Sequence, residues 1–426
     1  MVAFNFINTY MISDAGADAI SAVNIIGTLN VFFSQIFAAL SLAATVMIAR
    51  SVGQQNFTSI RRIFVNVISM AITIGFVLLE LLSLFKGNIV SIMANSAGEK
   101  VYYYAEIFFI GTILSYPFQA LIDAINGSLR GIAQTKATLK ISLLINAMYV
   151  IGNIIFIRIL NFTVLGLCFS LILSRIFGLI MAFFVSRKFS QFFRLSRTQF
   201  HMLSLIDWKT ISLTFVPFAL EGLFFNGGKI IIQLMIIGIV LQISEIIPVA
   251  LSSATVPFVG RLVGQNDWYN IRKITLLFTG LCSAIILLSD LCILPFFRKI
   301  VWLFNLSESA IDNAHEIYLW AIFFHCIFGG MSFIVPNALR AIGKGSFTTM
   351  ISLSSMWLYR IGMGYLVGVY FGMGLKGIYL MIMSEWGVRG LIFTHKLIKI
   401  TKKYGGSVHA LVIFQNGRKG NRNERE

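Results

Sequence analysis

Glu221 stands in PFALEGLFFNGGK, an acid inside an otherwise apolar run and a turn past Pro217. An ionisable group at mid-membrane costs about 2.5–3.5 kcal/mol by insertion scales and is a functional candidate by default. Its chemistry there would be to bind H⁺ or Na⁺ in one state and release it in another. Asp123 and Asn126 lie three apart after Pro117, which puts them on one face of a helix. Contact with the turn at Arg130 is their structural alternative. Asn8, Asn30 and Gln35 could add amide oxygens, with interhelical hydrogen bonding the plainer role for the last two. His325 lies in the middle of another apolar run, and imidazole is the side chain suited to exchanging a proton near neutral pH. Glu221 and Asp123 are therefore expected to couple a cation, and Asn8, Asn126, Asn30, Gln35 and His325 to line a cavity. Arg175 and Glu385 put opposite charges 210 positions apart, while Glu80 and Asp290 are expected at wet outer helix ends.

Enzyme chemistry is not indicated. Cys168, Cys282, Cys292 and Cys326 all fall within apolar runs and form no CxxC pair. No metal cluster or catalytic triad can be assembled, so the expected cofactor is none beyond the coupling ion.

The elements that must carry these groups are long apolar segments. The chain is 57% hydrophobic and 12% charged, well beyond the apolar share of ordinary soluble domains. Spanning a hydrocarbon core takes roughly 20 helical residues. Such runs lie near 1–12, 24–49, 64–85, 102–128, 138–160, 163–186, 211–236, 240–260, 274–297, 316–339, 348–371 and 374–396. The runs are continuously apolar, which favours helices over the alternating strands of a barrel. The first is too short to cross, and no basic leader with a cleavage site accompanies it. Either the true start lies upstream or the first helix is stunted.

The net charge of +17 suggests nucleic acid until its placement is considered. Arg50, Arg61, Arg62, Arg130, Lys136, Lys140, Arg187, Lys188, Arg261, Arg272, Lys273, Arg340 and Lys344 fill the turns after even-numbered spans. The alternate turns are poor in basic residues. That asymmetry predicts a plasma (inner) membrane protein with both termini cytoplasmic. Its basic tail would lie against an anionic inner leaflet, and nucleic acid is not an expected partner.

The sequence also repeats itself. VGQQNFTSIRRI (52–63) returns as VGQNDWYNIRKI (263–274), 211 positions later. LRGIAQTKATLKISL (129–143) returns as LRAIGKGSFTTMISL (339–353), 210 positions later. Two copies of one unit follow, each with an even number of spans and hence in the same orientation. Parallel repeats of this kind bind substrate at their interface near mid-membrane. Gly53 and Gly264 are expected to end the incoming helices as left-handed caps. Together with Arg61, Arg130, Arg272 and Arg340 they would build the cytoplasmic links and need not touch substrate.

GADAISAVN, the ARSVGQQN and GRLVGQND links, and the LRGIAQTK and LRAIGKGS pair resemble the multidrug and toxic compound extrusion (MATE) family over essentially the whole chain. The resemblance implies an all-α membrane protein of two pseudo-symmetric six-helix bundles. The implied activity is export of amphiphilic, often cationic, compounds against H⁺ or Na⁺, by rocking of one bundle against the other. It also implies an acid in the helix of Glu221. Two further acids of some relatives fall here on Asn8 and Gly329, neither of which can exchange a proton. Gly238 lies 26 residues before Gly264 where Gly16 lies 37 before Gly53, so the region joining the seventh and eighth spans is shortened.

The expected organisation is an N-terminal bundle (1–190), a basic linker (191–210), a C-terminal bundle (211–400) and a basic tail (401–426), acting as a monomer. A flippase for a lipid-linked saccharide, or a truncated relative that does not transport, are the rival functions.

Overall fold

The computed structural model describes residues 16–94, 98–193, 203–232, 244–302 and 308–423. The first expected span, with Asn8, and the segment 233–243 lie outside the described residues. The helices are α1 (Ala17–Gly53), α2 (Phe57–Leu84), α3 (Lys86–Ala94), α4 (Glu99–Leu114), α5 (Tyr116–Gly131), α6 (Thr135–Asn153), α7 (Thr163–Arg187) and α8 (Ser190–Phe193). After them come α9 (Leu205–Ile232), α10 (Ile246–Gly264), α11 (Trp268–Ile293), α12 (Phe297–Trp302), α13 (Glu308–Ala341), α14 (Gly345–Ser354) and α15 (Gly374–Asn423). Among the described residues there is no strand.

Among the described residues seven helices are each long and apolar enough to cross a membrane, and the pair α4–α5 makes an eighth, bent by 45°. The bend has a local cause. Pro117, in the first turn of α5, has no N–H to continue the α4 ladder, and the Ser115 hydroxyl donates to the Thr112 carbonyl at the break. Large apolar side chains such as Phe76, Phe184, Leu288 and Leu391 are exposed on these helices, a surface suited to lipid and not to water.

The chain forms two compact units, Met1–Ile230 and Ile231–Glu426. In the first, α5 packs on α1, α2 and α7. Phe37, Phe109, Tyr116 and Ala120 are among the buried residues of its main core. Most of α9 belongs with this unit, beyond the basic stretch 191–210. Ile211 is buried in the same core with Trp208 and Phe215 against it. Arg62 pairs with Asp207, and Asn66 accepts from the Ser204 amide at 3.2 Å. In the second unit α13 takes the place of α5, packing on α10, α11 and α15. α10 has 19 residues against 37 in α1.

The duplicated links share one backbone geometry. Gln55 and Asn266, 211 apart, are left-handed (φ 56° and 57°). Gln55 N–H donates to Val52 and Asn56 N–H to Ser51. Asn266 and Asp267 donate in the same way to Val263 and Leu262. Each is a Schellman closure that runs straight into the next helix, where the Asn56 or Asp267 side chain caps the amide of Ser59 or Asn270. The left-handed residue is thus two positions past the expected glycine. Gly53 and Gly264 are the last helical residues, because the motif counts its left-handed site from the final carbonyls and not from the first glycine.

The second pair of links closes identically. Ala133 (φ 63°) and Gly343 (φ 89°), 210 apart, donate to Arg130 and Arg340. The π-helical turns Ile154–Ile159 and Leu366–Tyr370 also recur, each followed by a left-handed residue, Asn161 or Gly372.

A left-handed conformation costs a residue with a Cβ about 1–2 kcal/mol. Ala133 carries that strain while exposed, whereas Gly343 does not. Ala133→Gly should raise the unfolding temperature in detergent by a few degrees, and Gly343→Ala should lower it by a similar amount. Thermal unfolding of both variants checks the pair.

Candidate functional site

In the first unit the polar interior is built on α5. Asp123 is half-buried, and its carboxylate accepts from Gln119 Nε2 at 2.8 Å, one turn earlier. Arg130 and Arg175 both act on it electrostatically. Asn126, one turn further on, is buried, and its Oδ1 has no hydrogen-bond partner. The same holds for the Tyr116 hydroxyl and for both amide atoms of Asn153 on α6. Buried polar atoms without partners are rare, and these lie on two helices of one unit. Asn153 was not singled out from sequence. Its signal, an amide inside AMYVIGNIIFI, was there to read.

Arg175 of α7 is buried and donates to Ser115 Oγ at the α4–α5 break. Asn30 of α1 buries an unpartnered Oδ1. Gln35 instead bonds its own helix at the Val31 carbonyl (3.4 Å) and abuts α9. A Cβ added to Gly222 would lie 3.0 Å from Gln35 Cβ and 3.2 Å from its Oε1. Glu221, the neighbour of that glycine, is half-buried on α9.

The link arginines hold helices together. Arg130 donates to Ser41 Oγ at 2.7 Å, while Ser41 donates to the Asp123 carbonyl. This fastens α5 to α1. In the second unit Ser252 donates to the Phe333 carbonyl at 2.9 Å, and Arg340 reaches that serine through Asn337, whose Oδ1 it meets at 2.9 Å. Arg61 bonds the Gln191 carbonyl at 3.2 and 3.0 Å, tying α2 to α8. Arg272 is half-buried near the start of α11.

The second unit holds two buried polar clusters. Glu385 of α15 is fully buried between Arg360 (2.5 Å) and Arg389 (3.5 Å) and accepts from Ser355 Oγ at 2.7 Å. Arg389 also donates to Ser332 Oγ at 3.0 Å. In the other cluster His325 and Asp290 are both inaccessible, with Nδ1 and Oδ2 3.1 Å apart. The Tyr318 hydroxyl lies 3.3 Å from Asp290 Oδ1. The expectation of a wet outer position for Asp290 is therefore overturned. Its helix packs on α13 there, whereas Glu80, the residue at the matching position, is exposed. Among the described residues no group of three or more His, Cys, Asp or Glu side chains could hold a metal ion.

Apolar helices of membrane-spanning length, with charged groups buried inside each unit, define a polytopic membrane protein. The MatE family model matches residues 1–156 and again 217–366, once in each half. The chain belongs to the MatE family, a family of transporters and not of enzymes. It is 27% identical over 297 residues to YisQ of Bacillus subtilis, an uncharacterized transporter, with 64% of each chain covered. It is 21% identical to NorM of Bacillus cereus, a probable multidrug resistance protein, covering 95% of this chain and 93% of that one. Among solved structures, MATE in its bent conformation superimposes with a TM-score of 0.84 at 16% identity, over 95% of this chain and 92% of that one. A MOP superfamily transporter from Pyrococcus furiosus gives 0.82, also at 16% identity over 95% and 92%. These structures establish the fold.

Proposed function

We propose that the chain is a secondary-active exporter of amphiphilic, cationic small molecules, exchanging them for H⁺ or Na⁺ as its two halves rock to open alternately to either side. The observation that carries this reading is that Asp123 shares a helix face with Asn126, whose buried Oδ1 has no hydrogen-bond partner, while Asn153 of the same unit buries both its amide atoms without partners. A carboxylate beside amide oxygens without partners is the donor set a cation would use, and family membership supplies the context of transport. The basic links face the cytoplasm in this reading, the protein works as a monomer in the plasma membrane, and anionic lipids neutralise its tail.

Glu221 and Asp123 are the coupling acids. Glu221→Gln and Asp123→Asn should each abolish the dependence of ethidium efflux on an imposed ion gradient. Unchanged gradient-driven efflux in either variant, at equal membrane abundance, would remove that residue from the mechanism.

A second reading is favoured by one observation. Among the described residues three arginines (Arg175, Arg360 and Arg389) and two acids (Asp290 and Glu385) are buried, a balance towards positive charge that suits an anionic lipid-linked substrate. Native mass spectra retaining such a lipid, with no ethidium movement by reconstituted protein, would favour the flippase.

A further inference from the structure

Two titratable side chains at the core of the second unit have no role in the reading above. Asp290 of α11 and His325 of α13 are both wholly inaccessible and bond each other through Oδ2 and Nδ1 at 3.1 Å. Tyr318 closes the carboxylate from the other side, its hydroxyl 3.3 Å from Oδ1 and 3.4 Å from the Asp290 carbonyl. The remaining ring nitrogen, His325 Nε2, is buried with no hydrogen-bond partner.

That nitrogen lies beside a glycine. A Cβ at Gly329 would sit 2.9 Å from His325 Cδ2, 3.6 Å from Nε2 and 2.6 Å from Ile286 Cδ1. The imidazole edge therefore fills the space a side chain at 329 would need. The ring is also held by Trp386, centroid to centroid 4.9 Å, and by Phe333 at 6.3 Å. An apolar wall of this kind gives an ionised pair no water, so its charge must be settled within the cluster.

The other charged and titratable groups on the surrounding elements have partners or places elsewhere. Arg298 of α12 pairs with Asp312, and Lys376 of α15 pairs with Glu316. Glu385 of α15 lies between Arg360 and Arg389. His315 meets the Phe297 ring edge. Arg340 of α13 bonds Asn337, Arg261 of α10 and Arg272 and Lys273 of α11 lie at the basic links, and Glu308 and Lys299 lie at the opposite helix ends. Cys282 is buried on α11, Cys326 of α13 is half-buried and Cys292 is exposed, and Tyr379 of α15 is buried in the same core as Tyr318 and Trp386.

We propose that Asp290 and His325, with Tyr318, form a proton-carrying site that supplies the coupling proton of the antiport. The inference rests on the antiport reading and names its ion. With Nδ1–H directed at the aspartate, Nε2 is the atom that gains and loses the proton. Protonated, the imidazolium and carboxylate sum to zero. When Nε2 releases its proton to water as the site opens, the cluster carries one negative charge. The unit is then complementary to a cationic substrate, which leaves when the proton returns. This adds a proton-exchanging site in the second unit to the coupling acids Glu221 and Asp123 of the first.

The test has two arms on the full chain. In the first, ring-¹⁵N-histidine spectra of the purified protein are followed between about pH 5 and 8, with the His325 signals identified as those missing from His325→Gln. A titrating His325 whose response changes in Asp290→Asn supports the site. A ring locked in one form across that range overturns it. In the second, ethidium accumulation in proteoliposomes is driven by an imposed pH gradient. Asp290→Asn and His325→Gln should lose about tenfold or more of the gradient-driven accumulation. Tyr318→Phe, which preserves the ring packing if the other variants do not fold, should shift the pH profile of exchange. Full coupling in folded variants overturns the proposal. Failure of the wild-type protein to move ethidium at all would instead count against the antiport reading, and the spectra would still judge the site.

Discussion

Glu385→Gln should destabilise the second unit by about 3–5 kcal/mol, the range for removing one partner from a buried ion pair. The carboxylate is wholly buried, and it answers two guanidiniums, Arg360 and Arg389, as well as the Ser355 hydroxyl. An amide of the same shape keeps the packing but removes the carboxylate charge that both guanidiniums meet. Replacing both charges together, as in Glu385→Gln with Arg360→Met, should recover part of the loss. Thermal unfolding in detergent and the yield of monodisperse protein measure both effects. A melting temperature within a degree of the unaltered protein would show that the arginines find other compensation.

The second large effect is steric. A Cβ on Gly127 would lie 2.2 Å from the Ser41 carbonyl oxygen and 2.7 Å from its hydroxyl. The obstacle is mainly backbone and cannot rotate away. Small residues allow such close approach of membrane helices, and here the approach also brings Thr45 Oγ1 to the Gly127 carbonyl at 2.8 Å. Gly127→Ala must push α5 from α1 and disturb the Ser41–Arg130 clasp with it. Overpacking of this kind costs about 1–3 kcal/mol or more. Folded yield should collapse in Gly127→Leu and fall measurably in Gly127→Ala. Asn337, 210 positions on, has a side chain that bonds Ser252, so Asn337→Gly should be much milder.

Much of this was legible in the sequence because the helices are long and the repeat is nearly literal. The twelve-residue links announced their own geometry, apart from the left-handed site, which falls on Gln55 and Asn266. Asp123 and Asn126 could be placed on one face by their spacing alone. The Asp290–His325 contact could not, because it depends on how α11 packs against α13. Symmetry was misleading at that point, since Glu80 at the matching position is exposed. Arg360 has Val150 at its matching position and could be seen to need a partner, but only packing shows that Glu385 supplies it. Residues 1–15 and 233–243 hold Asn8 and the shortened joint, and lie outside the described structure.

The central claim is ion-coupled export, and ethidium efflux from energised cells tests it most directly. Cells expressing the chain would be measured before and after the proton and sodium gradients are collapsed separately. Efflux that stops when the proton gradient is lost and continues without the sodium gradient is the predicted result. Efflux indifferent to both gradients, or none from protein shown to be inserted in the membrane, would contradict it.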